Sequence, residues 1–267
     1  MKNTIAIMGC GWLGLPLAKV LIADGCEVHG STTSEEKIEL LKNEGIHPFL
    51  ISLSEDEIDG NIEGFLSQVD SLVVNVPPKL RGNNKENYVK KMQLLHGAVK
   101  SSSIEKIIFI SSTSVYGDID GQVTEKTTPE PVTESGKQLV VSENIFRNDP
   151  SLRATIVRFG GLIGPDRHPV TMLSGKKNLS HGNAPVNLIH LNDCIKIITE
   201  TLRRSWWGET INGVYPYHPT KQKYYTSKAI GKGLQIPDYD ADSPKKGKIV
   251  SSYTLTNVKD FKFTTTL

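Results

Sequence analysis

Three glycines, at positions 9, 11 and 14, are the first residues in the chain whose spacing implies chemistry. They stand in GCGWLG, directly after the apolar run IAIM and at the mouth of a helical pattern. Gly9 permits a tight turn, Gly11 lets the backbone approach a pyrophosphate, and Gly14 lets the helix pack on the strand. Exposed amides and the helix dipole then favour an anion. With Trp12 and Leu13 inside the same turn, residues 9–14 predict a dinucleotide phosphate cradle. Farther along, Thr133 and Lys137 stand four apart in PVTESGK, a spacing that puts both on one helix face. Ser112 and Tyr116 are also four apart, in FISSTSVYGD, and Arg167 and His168 are adjacent in GPDRHP. Arginine suits a carboxylate or phosphate through paired hydrogen bonds, and histidine titrates near neutrality. His168 is a candidate general acid or base and Arg167 a candidate contact for an anionic substrate group, the alternative being a polar loop before Pro169.

The elements that must position these residues alternate between strand and helix. TIAIMG (4–9), CEVHGST (26–32), PFLISL (48–53), SLVVNVP (71–77), KIIFISSTS (106–114) and ATIVRF (154–159) read as strands. Helical patterns cover 13–23, a segment from Ser34, 87–100 and 137–147, with the Ser34 hydroxyl suited to an N-cap. This alternation predicts a parallel sheet covered by helices. After Gly160 the segments shorten; VNLIHLNDCIKIITETL (186–202) is a strand turning into a helix, and ETINGV (209–214) is one more strand. At the end of the second strand an NAD site usually carries an acid for the ribose hydroxyl. Here the position offers Ser31, Thr32 and Thr33, with Lys37 a turn later. Hydroxyls beside a lysine suit a 2′-phosphate, so NADP is expected ahead of NAD. The alternative is that these residues only cap a helix and either dinucleotide is accepted.

With 267 residues, 37% of them hydrophobic, the chain can bury a substantial core. Lysine and arginine total 31 against 29 acids, a net charge of +2, which gives no electrostatic case for nucleic acid or a membrane surface. Three cysteines without a CxxC (Cys10, Cys26, Cys194) suggest a reduced, cytoplasmic protein. The apolar run in MKNTIAIMGC is too short for a secretory leader. No metal site is expected, since His190 and Cys194 lack further ligands. Lys176 and Lys177, and the run SPKKGK (243–248), read as exposed basic loops, with a phosphate-bearing substrate as the alternative for the latter. The Trp206–Trp207 pair reads as packing at a helix end.

Several segments in order resemble extended short-chain dehydrogenase/reductases, the NAD-dependent epimerase/dehydratase superfamily. FISSTSVYGD resembles the catalytic-serine segment, PVTESGKQLVVSEN the active-site helix ending in the usual Glu (Glu143), and IVRFGGLIGPDR (156–167) the strand and turn lining the nicotinamide. VNLIHLNDC, ETINGV and KIVSSYTLTNV (248–258) match later landmarks. The resemblance implies an α/β fold: a Rossmann-type parallel sheet with helices on both faces and a small C-terminal substrate lobe. The expected division is a dinucleotide-binding domain at 1–159 and a lobe at 160–267, with 186–214 returning to the sheet. It implies that Ser112 bonds the substrate oxygen, that Lys137 holds the nicotinamide ribose, and that Phe159, Gly160 and Gly161, with Val76, line the cofactor. It also implies a homodimer through the helices at 87–100 and 137–147.

The position of the family's catalytic tyrosine, four before Lys137, is Thr133, a departure that resembles an atypical bacterial subgroup. Bringing a phenol from about 10 to about 7 requires roughly 4 kcal/mol. An alcohol starting nearer the ~15.7 of water would require roughly 12. Thr133 is therefore no substitute base and reads as a helix cap, with a phenol in its place expected to be overpacked. Tyr116 and His168 remain as replacement acids. The expected function is an NAD(P)-dependent oxidoreductase or epimerase-like enzyme on a small polar substrate, sugar-like or phosphorylated. The alternative is a non-catalytic NAD(P)-binding sensor or interaction protein.

Overall fold

The structure is a computed structural model that describes residues 3–78, 80, 86–240 and 247–267. Its strands are β1 (Thr4–Met8), β2 (Glu27–Thr32), β3 (His47–Leu50), β4 (Ser52–Leu53), β5 (Ile58–Asp59), β6 (Ser71–Val74), β7 (Lys106–Ser112), β8 (Gly121–Val123), β9 (Arg153–Phe159), β10 (Gly161–Ile163), β11 (Leu188–His190), β12 (Thr210–Gly213) and β13 (Lys248–Val250). The helices are α1 (Gly14–Ala23), α2 (Glu36–Asn43), α3 (Ile62–Leu66), α4 (Tyr88–Lys100), α5 (Glu134–Arg147), α6 (Pro169–Leu173), α7 (Leu191–Arg204) and α8 (Lys221–Gly231).

Every residue of β1 (TIAIM) and β6 (SLVV), all apolar but Thr4 and Ser71, is buried, as a parallel sheet covered on both faces requires. Seven strands form the parallel sheet, in the order β12-β9-β7-β6-β1-β2-β3. Ile7 lies opposite Gly30 of β2 on one side and Val73 of β6 on the other. The order reverses at β1, and in such sheets ligands bind outside the carboxyl ends of the strands at the reversal. Gly9 and Asn75, which follow β1 and β6, stand at that point. The expected α/β fold with a helix-flanked parallel sheet is thus the fold observed.

Several boundaries differ from the sequence reading. The run 48–53 is not one strand: Ile51 donates its N–H to Thr32 O at 2.9 Å, and β4 turns away to pair antiparallel with β5. Ser34 does not cap α2, which starts at Glu36 without a side-chain cap; the Ser34 amide instead donates to Thr32 Oγ1 at 3.2 Å. β7 stops at Ser112, and Thr113–Tyr116 coil into a 3₁₀ turn. Asn87 caps α4 through Lys90 N–H at 3.1 Å.

The chain forms two compact units, each discontinuous in sequence: Met1–Val115 with Pro131–Arg158 and Ile195–Thr210, and Tyr116–Glu130 with Phe159–Cys194 and Ile211–Leu267. In the first, Glu143 is wholly buried and joins three elements. It accepts Ser111 Oγ at 2.6 Å from β7, Arg158 Nε and Nη2 at 2.9 and 2.5 Å from β9, and Arg147 Nη2 at 2.8 Å from its own helix. Trp206, after α7, is buried there as well.

In the second unit β10 pairs with β11 and β13 with β8, both parallel. A cluster that includes Ile163, Val170, Leu188, Tyr224 and Tyr225 forms its core, and Leu267 packs on it. The chain end is fastened by buried Asp193, which accepts Thr264 N–H at 2.7 Å, Thr264 Oγ1 at 2.8 Å and Thr265 N–H at 3.1 Å. Among the described residues no helix is long and apolar enough to cross a membrane.

Candidate functional site

At the end of β1 the backbone turns through Gly9 with φ +105°, a conformation that favours glycine. A Cβ on Gly9 would lie 2.8 Å from Asn75 O, and one on Gly14 only 2.2 Å from Gly9 O. Neither position admits a side chain. Gly11 is different: an added Cβ would meet nothing within 4 Å, so the space beside that backbone is open. No side chain caps α1, which begins here. An open approach at Gly11 beside an uncapped helix N-terminus fits a pyrophosphate. Beside the turn, Gly11, Trp12, Leu15, Lys37 and Leu40 line a cavity of about 270 Å³. Cys10 also borders it, but burial pushes its thiol up to about 12, so it is inert at neutral pH.

The hydroxyls at the end of β2 divide by exposure. Ser31 is buried, and its Oγ accepts Gly9 N–H at 2.8 Å. Thr32 is buried too, while Thr33 is exposed with Lys37 a turn later. Val76 is half-buried; its side chain would stand 3.8 Å from a Cβ on Gly9, and its carbonyl accepts the Tyr88 hydroxyl at 2.8 Å. Gly160 and Gly161 have a packing explanation of their own. A Cβ on Gly160 would lie 2.7 Å from Asn187 O, and one on Gly161 2.7 Å from Leu188 Cδ2. Phe159 is 2% exposed.

Ser112 ends β7, and its Oγ accepts Ser114 N–H at 3.1 Å. Ser114 O would stand 3.0 Å from a Cβ on Gly136, so the first turn of α5 packs on the turn after Ser112. Thr133 caps that helix, its Oγ1 accepting Gly136 N–H at 3.1 Å. The capping role read from the sequence is the one observed. Because Thr133 is exposed, a phenol there would not be overpacked, and that expectation is corrected. Lys137 is exposed one turn along.

The two replacement acids have their polar atoms engaged inside the second unit. Tyr116 is wholly buried, and its hydroxyl donates to Asn212 Oδ1 at 2.8 Å. The Asn212 amide nitrogen in turn donates to Ser251 O at 3.0 Å. His168 caps α6: its Nδ1 accepts Val170 N–H at 3.1 Å. That bond places the ring proton on Nε2, which points at Tyr224 Oη 3.1 Å away. Burial first, then the charges of Lys232 and Lys228, bring its pKa down to about 4. A neutral ring with both nitrogens engaged is a poor general acid at pH 7. Nothing in the local sequence around His168 signals this, because Tyr224 lies far along the chain. Arg167 is exposed, in a tight turn closed by Gly164 N–H to Arg167 O at 2.8 Å.

Lys176 and Lys177 are exposed. Most of the basic run 243–248 lies outside the described residues. Its last member, Lys248, donates to Gly117 O, and burial lowers its pKa, opposed by Asp118. His190 accepts Asn192 N–H at 3.2 Å and Cys194 is buried. Among the described residues no group of three or more His, Cys, Asp or Glu side chains could hold a metal.

A sheet reversing at β1, with a glycine turn and an uncapped helix at the reversal, defines a dinucleotide-type α/β protein. Residues 5–212 match the NAD dependent epimerase/dehydratase family, and the chain belongs to it. Protein YeeZ of Escherichia coli K12 is 36% identical over 261 residues, covering 97% of this chain and 95% of that protein. A Bacillus subtilis protein named as an uncharacterized UDP-glucose epimerase, YtcB, is 25% identical over 68% of this chain and 65% of its own length. Among solved structures, UDP-glucuronic acid 4-epimerase from Bacillus cereus in complex with NAD superposes with a TM-score of 0.80 at 17% identity, over 98% of this chain and 92% of that one. MoeE5 in complex with UDP-glucose and NAD gives 0.79 at 19%, over 99% and 95%.

Proposed function

We propose that the protein is an NAD(P)-dependent oxidoreductase or epimerase-like enzyme acting on a small polar carbonyl or alcohol compound, with a nucleotide-linked sugar the leading class. The observation that carries this reading is the open approach at Gly11 between two glycines that admit no side chain. The bound dinucleotide would supply hydride transfer. The chain's own residues would hold it and orient the substrate: the 9–14 turn takes the pyrophosphate, Lys137 the nicotinamide ribose, Ser112 the substrate oxygen, and Arg167 an anionic substrate group. Lys37, on the cavity beside Gly11, with exposed Thr33, suits a 2′-phosphate, and we favour NADP on that ground. The sugar-nucleotide class is supported by the names of the relatives and structural neighbours. We also propose a homodimer through α4 and α5, where Val141 is 47% exposed.

A second reading, a non-catalytic NAD(P)-binding sensor, is favoured by one feature: Thr133 and His168 both cap helices, and the second His168 nitrogen is engaged by Tyr224. Titration calorimetry with NADH and NADPH, followed by a turnover screen over UDP-sugars, separates the readings. Gly11→Val should abolish binding of both cofactors while the protein still folds, since its side chain fills the space left open. Unchanged binding by this variant removes the cradle. Tight binding by wild type with no turnover across the screen selects the sensor.

A further inference from the structure

Ser31 stands where the sequence pattern places a ribose contact, yet its hydroxyl faces the protein interior. The residue is 2% exposed. Its Oγ accepts Gly9 N–H at 2.8 Å and donates to Met8 Sδ at 3.2 Å. A hydroxyl has one proton to give, and here it is given to the core. Gly9 is held from the opposite side as well, where Asn75 Nδ2 donates to Gly9 O at 3.0 Å. The next amide, Cys10 N–H, donates to Ser31 O at 2.8 Å. Two side chains, one from β2 and one following β6, thus fix the peptide groups on either side of a glycine whose φ is +105°.

We infer that Ser31 is a positioning residue for the dinucleotide site. By holding the Gly9 amide it aims the backbone that follows, through Gly11 into α1, at the pyrophosphate. This inference rests on the dinucleotide reading proposed above. It separates Ser31 from a direct ligand by one consequence. Loss of a latch weakens every dinucleotide by the same factor, because the pyrophosphate is common to all of them. Loss of a ribose or 2′-phosphate contact changes the preference between NADPH and NADH.

The test is calorimetric titration of NADH and NADPH into the full chain and into Ser31→Ala, Ser31→Thr and Asn75→Ala, each checked for folding by circular dichroism. Ser31→Ala should raise both dissociation constants by about tenfold, the effect of losing one buried hydrogen-bond partner, with their ratio unchanged. Asn75→Ala should act in the same direction on both cofactors. Ser31→Thr, which keeps the hydroxyl, should bind like wild type. A folded Ser31→Ala with wild-type constants overturns the inference, as does a changed NADPH-to-NADH ratio. Should Ser31→Ala not fold, Asn75→Ala carries the same expectation and the same refutation. If wild type binds neither cofactor, the dinucleotide reading itself fails and the latch falls with it.

Discussion

Thr133, four residues before Lys137, has a local task in the structure. Thr133 satisfies an amide at the start of α5. Thr133→Ala should lower stability by ~1 kcal/mol, the usual cost of a lost cap, with cofactor affinity unchanged; denaturant melts and calorimetry measure the two. Thr133→Tyr should lose the same cap and gain no turnover. His168 makes a pH prediction. Its folded pKa of about 4 lies below the ordinary 6.5, so between those values the unfolded chain binds a proton that the folded chain does not. Stability therefore falls as pH drops from 6.5 towards 4. His168→Asn keeps a capping oxygen but cannot titrate, so its melting temperature should depend less steeply on pH across that window. An identical slope would mean that the folded ring is not held neutral. The glycine turn at 9–14 was legible because its signal lies in six consecutive residues. The engagement of Tyr116 and His168 was not, because Asn212 and Tyr224 reach them only through the fold.

Between elements, Glu143 is the joint that holds α5 against β7 and β9. Four hydrogen bonds converge on a carboxylate with no access to water. Glu143→Ala takes the carboxylate away from the buried Arg158 guanidinium and should cost ~3–5 kcal/mol. Replacing the pair together, Glu143→Leu with Arg158→Met, should recover much of that loss; denaturant melts of the single and double variants decide. β1, β6, β7 and β9 were readable in the sequence from their runs of apolar residues, whereas β2 (EVHGST) shows only through its place between two helical patterns. The elements missed fail that condition. β8 and β13 are three residues each and exist by pairing across a long stretch of chain. α8 is rich in lysine and tyrosine, and its start shows mainly through the Thr220 cap on Lys223 N–H.

Across the whole molecule, the chain does not finish one compact unit before beginning the next. A cut at residue 159, natural from the sequence texture, would keep β1 to β9 and lose β12, the neighbour of β9 in the sheet, together with Glu209 just before it, whose O accepts Ile156 N–H at 2.9 Å. A fragment of residues 1–159 should therefore present an unpaired strand edge and self-associate. Size-exclusion chromatography of the fragment beside the full chain checks this; a stable monomeric fragment would contradict it.

The place of β12 also sets a schedule for the chain as it is synthesised. When residue 159 has left the ribosome six of the seven strands exist, yet β9 still lacks its outer neighbour. Some fifty residues must follow before Gly213 emerges, which at ~5–20 residues per second takes roughly 3–10 s. For that interval the growing protein carries an open β edge, ready to pair with any extended segment it meets. Shielding that edge, or keeping growing chains apart from one another, limits such pairing. Translation speed between Phe159 and Gly213 thereby becomes a determinant of how much chain reaches the native sheet.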